Sequence, residues 1–131
     1  MQLTDKSPRF YLTKVYPNAR LNLYQSALAW LIESQSVLPV YALEQPQLPL
    51  VFNRKNTLFR LFMNDTGMLS SMLGGQIQKE ILHHDPDVRL EFLIQNVVAT
   101  QLVFNDFPLY YYNSKKYARL ISCWRAALRL I

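Results

Sequence analysis

The sequence predicts an α+β fold, and three observations carry that expectation. Apolar residues recur at helical spacing between Ala19 and Ser34, the pattern of a helix with one buried face. Two β-prone runs, Val37 to Leu43 and Thr57 to Met63, flank a proline-bearing loop and read as a long-armed hairpin. The run Asn64-Asp65-Thr66-Gly67-Met68-Leu69 follows that second strand and opens a helical stretch that stops at Gly74-Gly75.

Each element has its own signal. Pro8 and Pro17 mark turns, Phe10 to Val15 reads as a short strand, and Asn18 is placed to cap the helix that follows. In that helix Leu21, Tyr24, Leu28 and Leu31 form the buried stripe, widened by Ala27 and Ile32. Pro39 interrupts Val37 to Leu43 and predicts an edge strand, because proline has no N–H to give to a second neighbour. Glu44 to Leu50 contains Pro46 and Pro49 and is an extended loop. Asn53-Arg54-Lys55-Asn56 reads as a polar turn. Thr57 to Met63 is apolar on both faces apart from Arg60, as in a well-covered strand.

Asp65 is placed to cap the next helix, which runs to Leu73, and Gly67 permits close packing in its first turn. Gln76 to His84 reads as a second helix with Ile77, Ile81 and Leu82 inward, ended by Asp85-Pro86. Asp87 to Asn105 is the longest helical segment. Phe92, Leu93, Asn96, Val97, Thr100 and Val103 lie along one side, and much of the remaining circumference is apolar too. Pro108 to Asn113 is a strand carrying Tyr110, Tyr111 and Tyr112. In the last segment Tyr117, Leu120, Ile121, Trp124, Leu128 and Ile131 recur at helical spacing, with Arg119, Arg125 and Arg129 mostly off that stripe. This is the pattern of a basic amphipathic helix.

Composition narrows the class. Half of the 131 residues are apolar and 13% aromatic, enough for a packed core and unlike a disordered chain. No run approaches the length of a membrane span, and Met1 to Lys6 lacks the apolar core of a signal peptide. Cys123 is the only cysteine, so the expected setting is a reducing cytoplasm with no intrachain disulfide. The net charge of +5 resides in the tail: Lys115, Lys116, Arg119, Arg125 and Arg129 supply five positives, and no acidic residue follows Asp106. A basic segment of this kind is either a solvated helix face or a contact for nucleic acid or an acidic surface.

Few residues suggest catalysis. The chain has three glycines and no phosphate-binding loop, which argues against nucleotide hydrolysis. His83 and His84 are adjacent, and neighbouring helix residues point about 100° apart, so the pair reads as a helix end rather than as metal ligands. Glu80 is a surface partner for His83 on the same face. Cys123 reads as a core thiol rather than a nucleophile, with Arg119 four residues before it on the expected helix. The tyrosine triplet reads as strand packing on two faces, with a base-stacking platform as the alternative. Neither a cofactor nor a metal is expected.

Ala19-Arg20, Tyr24, Ala27-Leu28, Trp30-Leu31, Val37, Val40-Tyr41, Pro46, Leu48-Pro49-Leu50, Phe59, Leu61, Asp65, Gly67 and Leu69 stand in a characteristic order. The order continues through Asn96, Val98-Ala99, Leu102, Tyr111-Tyr112 and Ser114-Lys115. The pattern resembles domain-of-unknown-function family 4143, the C-terminal region of predicted ATPases of the AAA superfamily, from about Phe10 to Tyr117. Pro49, Asp65, Gly67 and Asn96 are its structural motif positions. In such proteins a phosphate-loop module precedes a winged-helix-like unit and then a restriction-endonuclease-like fold.

The resemblance implies that residues 1–63 are a partial winged-helix-like subdomain. Residues 64–131 would be a helical linker and an incomplete restriction-endonuclease-like unit ending in the basic helix. The chain departs from the family in three ways. It carries no ATPase module. Gln95 and Gln101 stand at usually acidic positions. After Lys116-Tyr117 it reads Ala118-Arg119-Leu120-Ile121 where the family has an acidic strand. A metal-dependent nuclease needs clustered carboxylates, and the acids on hand, Asp65, Asp85, Asp87, Glu91 and Asp106, match no metal-ligand spacing. The tail is either the product of a frameshift or a native helical end.

The expectation is therefore a non-catalytic fragment that acts, if at all, by binding. Lys14, Arg20, Arg54 and Lys55 occupy the positions at which a winged helix meets DNA phosphates. The alternative is an interaction or regulatory module that docks on a full-length ATPase of the family, with Leu120, Trp124 and Leu128 as anchors. No membrane partner is expected.

Overall fold

The computed structural model describes residues 9–83, 90–112 and 120–123. These form an α+β arrangement with a four-stranded sheet in the order β2-β1-β3-β4. The chain enters through a 3₁₀ turn at Leu12–Lys14 rather than the expected strand. Only Phe10 keeps a strand-like contact, its N–H donating to Phe59 O at 2.8 Å.

Helix α1 (Leu21–Glu33) forms as its spacing predicts, with Leu21, Leu28, Leu31 and Ile32 packed on the core and Leu23 and Trp30 outward. Ala27 lies exposed instead of widening the stripe. The residue before the helix is Arg20, with no side-chain cap. Asn18 does not cap: it sits at φ 63°, a left-handed turn that asparagine tolerates, so it bends the approach to the helix.

Strands β1 (Val37–Leu43) and β2 (Arg54–Met63) form the antiparallel hairpin. β1 is not an edge strand. β3 (Leu109–Tyr112) pairs with it in parallel, and β4 (Leu120–Cys123) pairs with β3 antiparallel. Pro39 fits in this interior strand for two reasons. β3 meets β1 only at Tyr41 and Ala42, past the proline. Across the hairpin Pro39 faces Leu61, in phase with Phe59 and Met63, whose outward backbone groups bond Phe10 and Asn96. Strand backbones alternate their bonding edge, so the Pro39–Leu61 site needs no N–H.

The polar turn expected at Asn53 to Asn56 is displaced. Arg54 and Lys55 belong to β2 and pair with Leu43 and Ala42. Tyr41 pairs with Phe59 while the next residue, Ala42, pairs with Lys55, so residues 56–58 bulge out of the ladder. A bulge inserts residues without ending the strand. The turn proper spans residues 44–53. It is closed by Glu44 N–H to Asn53 O at 2.8 Å and Asn53 Nδ2 to Gln47 O at 2.9 Å.

Helix α2 (Thr66–Met72) is capped by Asp65, whose Oδ1 accepts from Met68 N–H at 3.0 Å. A Cβ on Gly67 would stand 3.0 Å from that same oxygen, so the glycine leaves room for the cap rather than for a neighbouring element. Helix α3 (Gly75–Leu82) starts after Gly74 at φ 89°, a region glycine enters freely. Ile81 and Leu82 are exposed rather than inward, and Asp85-Pro86 lies outside the described residues.

Helix α4 (Glu91–Phe104) belongs to both layers of the core. Near its start Leu93 joins Val37, Phe59, Leu61, Met63 and Leu69 on one sheet face. Further along, Ala99 joins Val40, Ala42, Phe62, Leu109 and Tyr111 on the other. The helix thus passes from one face to the other beside the end of β2, and Asn96 stands at the crossing. Asn96 is 2% exposed. Its Oδ1 accepts from Met63 N–H at 2.9 Å, and its Nδ2 donates to Met63 O at 2.8 Å and Thr66 Oγ1 at 2.9 Å. Val97 and Val103, expected on the inner side, are partly turned out to solvent.

In β3 Leu109 and Tyr111 are buried and Tyr110 and Tyr112 half-buried, so Tyr111 fills core space. At Leu120–Cys123 a strand replaces the expected basic helix, with Leu120 opposite Tyr112 and Cys123 opposite Leu109. Four residues cannot distinguish the two periods, and the free edge of β3 supplies a backbone partner that a helix there would leave unused. Arg119, Trp124 and the rest of that segment lie outside the described residues. The sheet runs across the expected boundary between residues 63 and 64, because β1 pairs with β3.

Replacing Asn96 by Ala strands the Met63 N–H and C=O and is expected to cost about 3 kcal/mol. Asn96→Asp, which keeps only the acceptor, should recover a minor part. Asp65→Ala should cost about 1 kcal/mol through the lost cap. Urea unfolding of the three variants checks the ranking, and Asn96→Ala matching Asp65→Ala would refute it.

Candidate nucleic-acid interface

Charge is segregated within the body of the chain. Residues 9–63 hold six Lys and Arg against two acids, whereas residues 64–112 hold two against six. The basic part is the N-terminal segment, α1 and the hairpin. A positive field over one part of a surface attracts polyanions whatever the local detail.

Within the basic part, several cations stand on aromatic rings, in two groups. Arg9 Cζ lies 4.7 Å from the Tyr11 ring centre, and Lys14 Nζ lies 5.4 Å from the same ring. Phe10 stacks on Phe59 at 6.1 Å with 20° between planes. Phe59 meets Tyr41 at 6.0 Å, and Arg54 Cζ sits 4.5 Å over Tyr41. The group on the hairpin is completed by Phe10, which bonds along the edge of β2. The bulge then sets Arg54, whose Nε donates to Asn56 Oδ1 at 2.7 Å. A guanidinium lying on a ring is held in one orientation, and its terminal amino groups can still donate to a phosphate.

The four expected cations are therefore placed differently. Lys14 lies on Tyr11 and Arg54 on Tyr41. Arg20 is exposed at the residue before α1. Lys55 stands 3.7 Å from Glu44 across the base of the hairpin loop, an exposed pair of small energetic weight that still offsets its charge. Arg60 is buried beside the Phe62 ring and belongs to the core. Sequence reasoning missed Arg9, Tyr11 and Tyr41. The cation-aromatic run Arg9-Phe10-Tyr11 was the available signal.

The remaining expected positions are structural. Pro49 precedes the 3₁₀ turn Leu50–Asn53 in the hairpin loop. Asp65, Gly67 and Asn96 organise the junction described above. Of the interaction anchors, Leu120 lies in β4, and Trp124 and Leu128 are outside the described residues. Of the acids, Asp65 caps α2, Glu91 opens α4 and Asp106 follows it at φ 60°. Asp85 and Asp87 are outside the described residues. Among the described residues no three His, Cys, Asp or Glu side chains gather as a metal site, and no helix is long and apolar enough to cross a membrane.

No family model matches the chain, and no match was found among curated proteins or solved structures.

Proposed function

We propose that this chain is a non-catalytic binding unit that holds duplex DNA weakly through its phosphates. We propose further that it corresponds to the C-terminal region of an AAA-type ATPase of family 4143. The observation that carries the reading is that Arg9 and Lys14 lie on the Tyr11 ring and Arg54 on the Tyr41 ring, all in the basic part of the chain.

Cations fixed on rings lose little freedom on meeting a phosphate, and a guanidinium offers it two donors at once. The order of α1 followed by the β1–β2 hairpin agrees with the helix and wing of a winged helix. In that reading Arg20 meets phosphates at the helix, and Arg54 and Lys55 meet them at the wing. Phosphate contacts position a protein without reading bases, so the binding is indifferent to sequence and sensitive to salt. The reading assigns no hydrolysis to the chain, because Ala118-Arg119-Leu120-Ile121 replaces the acidic strand of the nuclease-like family pattern.

The test is fluorescence anisotropy with a labelled duplex of arbitrary sequence across a salt series. The double variant Arg20→Ala/Arg54→Ala should bind about tenfold more weakly, with the salt slope reduced by roughly two. Glu44→Gln, which removes an acid beside Lys55, should tighten binding by roughly a factor of two. Unchanged affinity in the double variant would place DNA on another surface or on none.

A second reading, docking on a full-length member of the same family, is favoured by a different observation: the outer face of α4 is apolar and exposed.

A further inference from the structure

Helix α4 carries two apolar stripes. Leu93, Asn96 and Ala99 face the core, and the opposite arc presents Ile94, Val97, Val98, Gln101 and Phe104. These outer positions are three, one, three and three residues apart, the spacing of a single helix face. Ile94 is 60% exposed, Val98 49% and Phe104 84%. A helix that is apolar on all sides belongs inside a larger assembly or a membrane. At 14 residues α4 is too short to span a bilayer. An exposed stripe of this kind marks a contact surface.

The charge around the stripe restricts what covers it. No charged residue lies between Glu91 and Asp106, and both of these acids are exposed at the ends of the stripe. The carbonyl end of the helix, next to Phe104, adds partial negative charge. Residues 64–112 carry six acids against two Lys and Arg. An antiparallel second copy would bring Glu91 of one chain toward Asp106 of the other, which like charges oppose. Beside the stripe lies a hollow of about 340 Å³, lined by Leu38, Asn64, Gln101, Val103 and Phe104 among others. It is large enough to take a bulky apolar side chain.

We propose that the outer face of α4 docks an amphipathic helix from a partner protein, apolar toward Val97, Val98 and Phe104 and basic at its flanks toward Glu91 and Asp106. This rests on the docking reading and adds the chemistry of the partner. The partner's apolar residues lie along the stripe, one of them enters the hollow beside Phe104, and its Lys or Arg side chains extend past the rim to the two acids.

The probe is a labelled amphipathic peptide of leucine and lysine, titrated into the full chain by anisotropy, beside a leucine and glutamate peptide of the same pattern. The lysine peptide should bind, and Val98→Gln/Phe104→Gln should weaken it at least tenfold. Both positions are exposed, so these changes leave the core untouched. Phe52→Gln, at an 82% exposed position in the hairpin loop, should bind like the parent. An affinity that Val98→Gln/Phe104→Gln leaves unchanged, or an equal loss with Phe52→Gln, overturns the proposal outright. If the glutamate peptide binds as well and is lost on the same variant, the basic partner is wrong and docking at α4 stands. A concentration-dependent dimer abolished by Val98→Gln would make a second copy the occupant and also overturn it.

Discussion

Asn96 does for the end of β2 what a neighbouring strand would otherwise do. Met63 closes the strand, and both of its outward backbone groups bond one amide side chain on α4. The amide has one further donor, and Thr66 at the start of α2 accepts it. One buried group thereby ties together the last residue of the hairpin, the first turn of the following helix and the middle of α4. Such a group is tolerated only when each of its bonds is made, because buried donors and acceptors left without partners cost more than the bonds return. This requirement fixes the height at which α4 passes the sheet.

The rest of the architecture follows from that crossing. With Asn96 held at Met63, Leu93 reaches one face of the sheet and Ala99 the other. The same helix then leads into β3, which lies beside β1 in parallel. A parallel neighbour requires a long connection, and α2, α3 and α4 provide it. β1 is interior for this reason. Its proline survives there because the Pro39–Leu61 site is one whose backbone groups face away from the hairpin partner, and β3 meets β1 only beyond it.

Local signals were legible in the sequence. The stripe of α1, the two arms of the hairpin, the Asp65 cap and the existence of α4 and β3 all depend on residues within a turn or two of one another. What escaped depends on distant partners. The placement of Arg54 in a strand follows from pairing with Leu43 around a bulge, which a polar tetrapeptide does not announce. Phe10 and Phe59 meet across most of the basic part, a contact that neither segment announces by itself. Asn96 stood out by its place in an ordered pattern of residues, while its partner is 33 positions away. Leu120 to Cys123 fit a helical period until the open edge of β3 is taken into account.

The apolar circumference of α4 was visible from the start, and its meaning changes once the crossing is known. A helix that changes faces at its midpoint needs apolar residues on more of its surface than one lying flat on a sheet. Some of the width therefore serves the fold: Phe92 and Leu93 pack before Asn96, and Ala99 and Leu102 after it. Ile94, Val97, Val98 and Phe104 are left over, since none of them reaches either core. Solubility alone would place polar residues there at no cost to packing. The ring-bound cations lie in the basic part of the chain and this stripe in the acidic part. The two surfaces thus call for partners of opposite charge, so neither partner is drawn to the other's site.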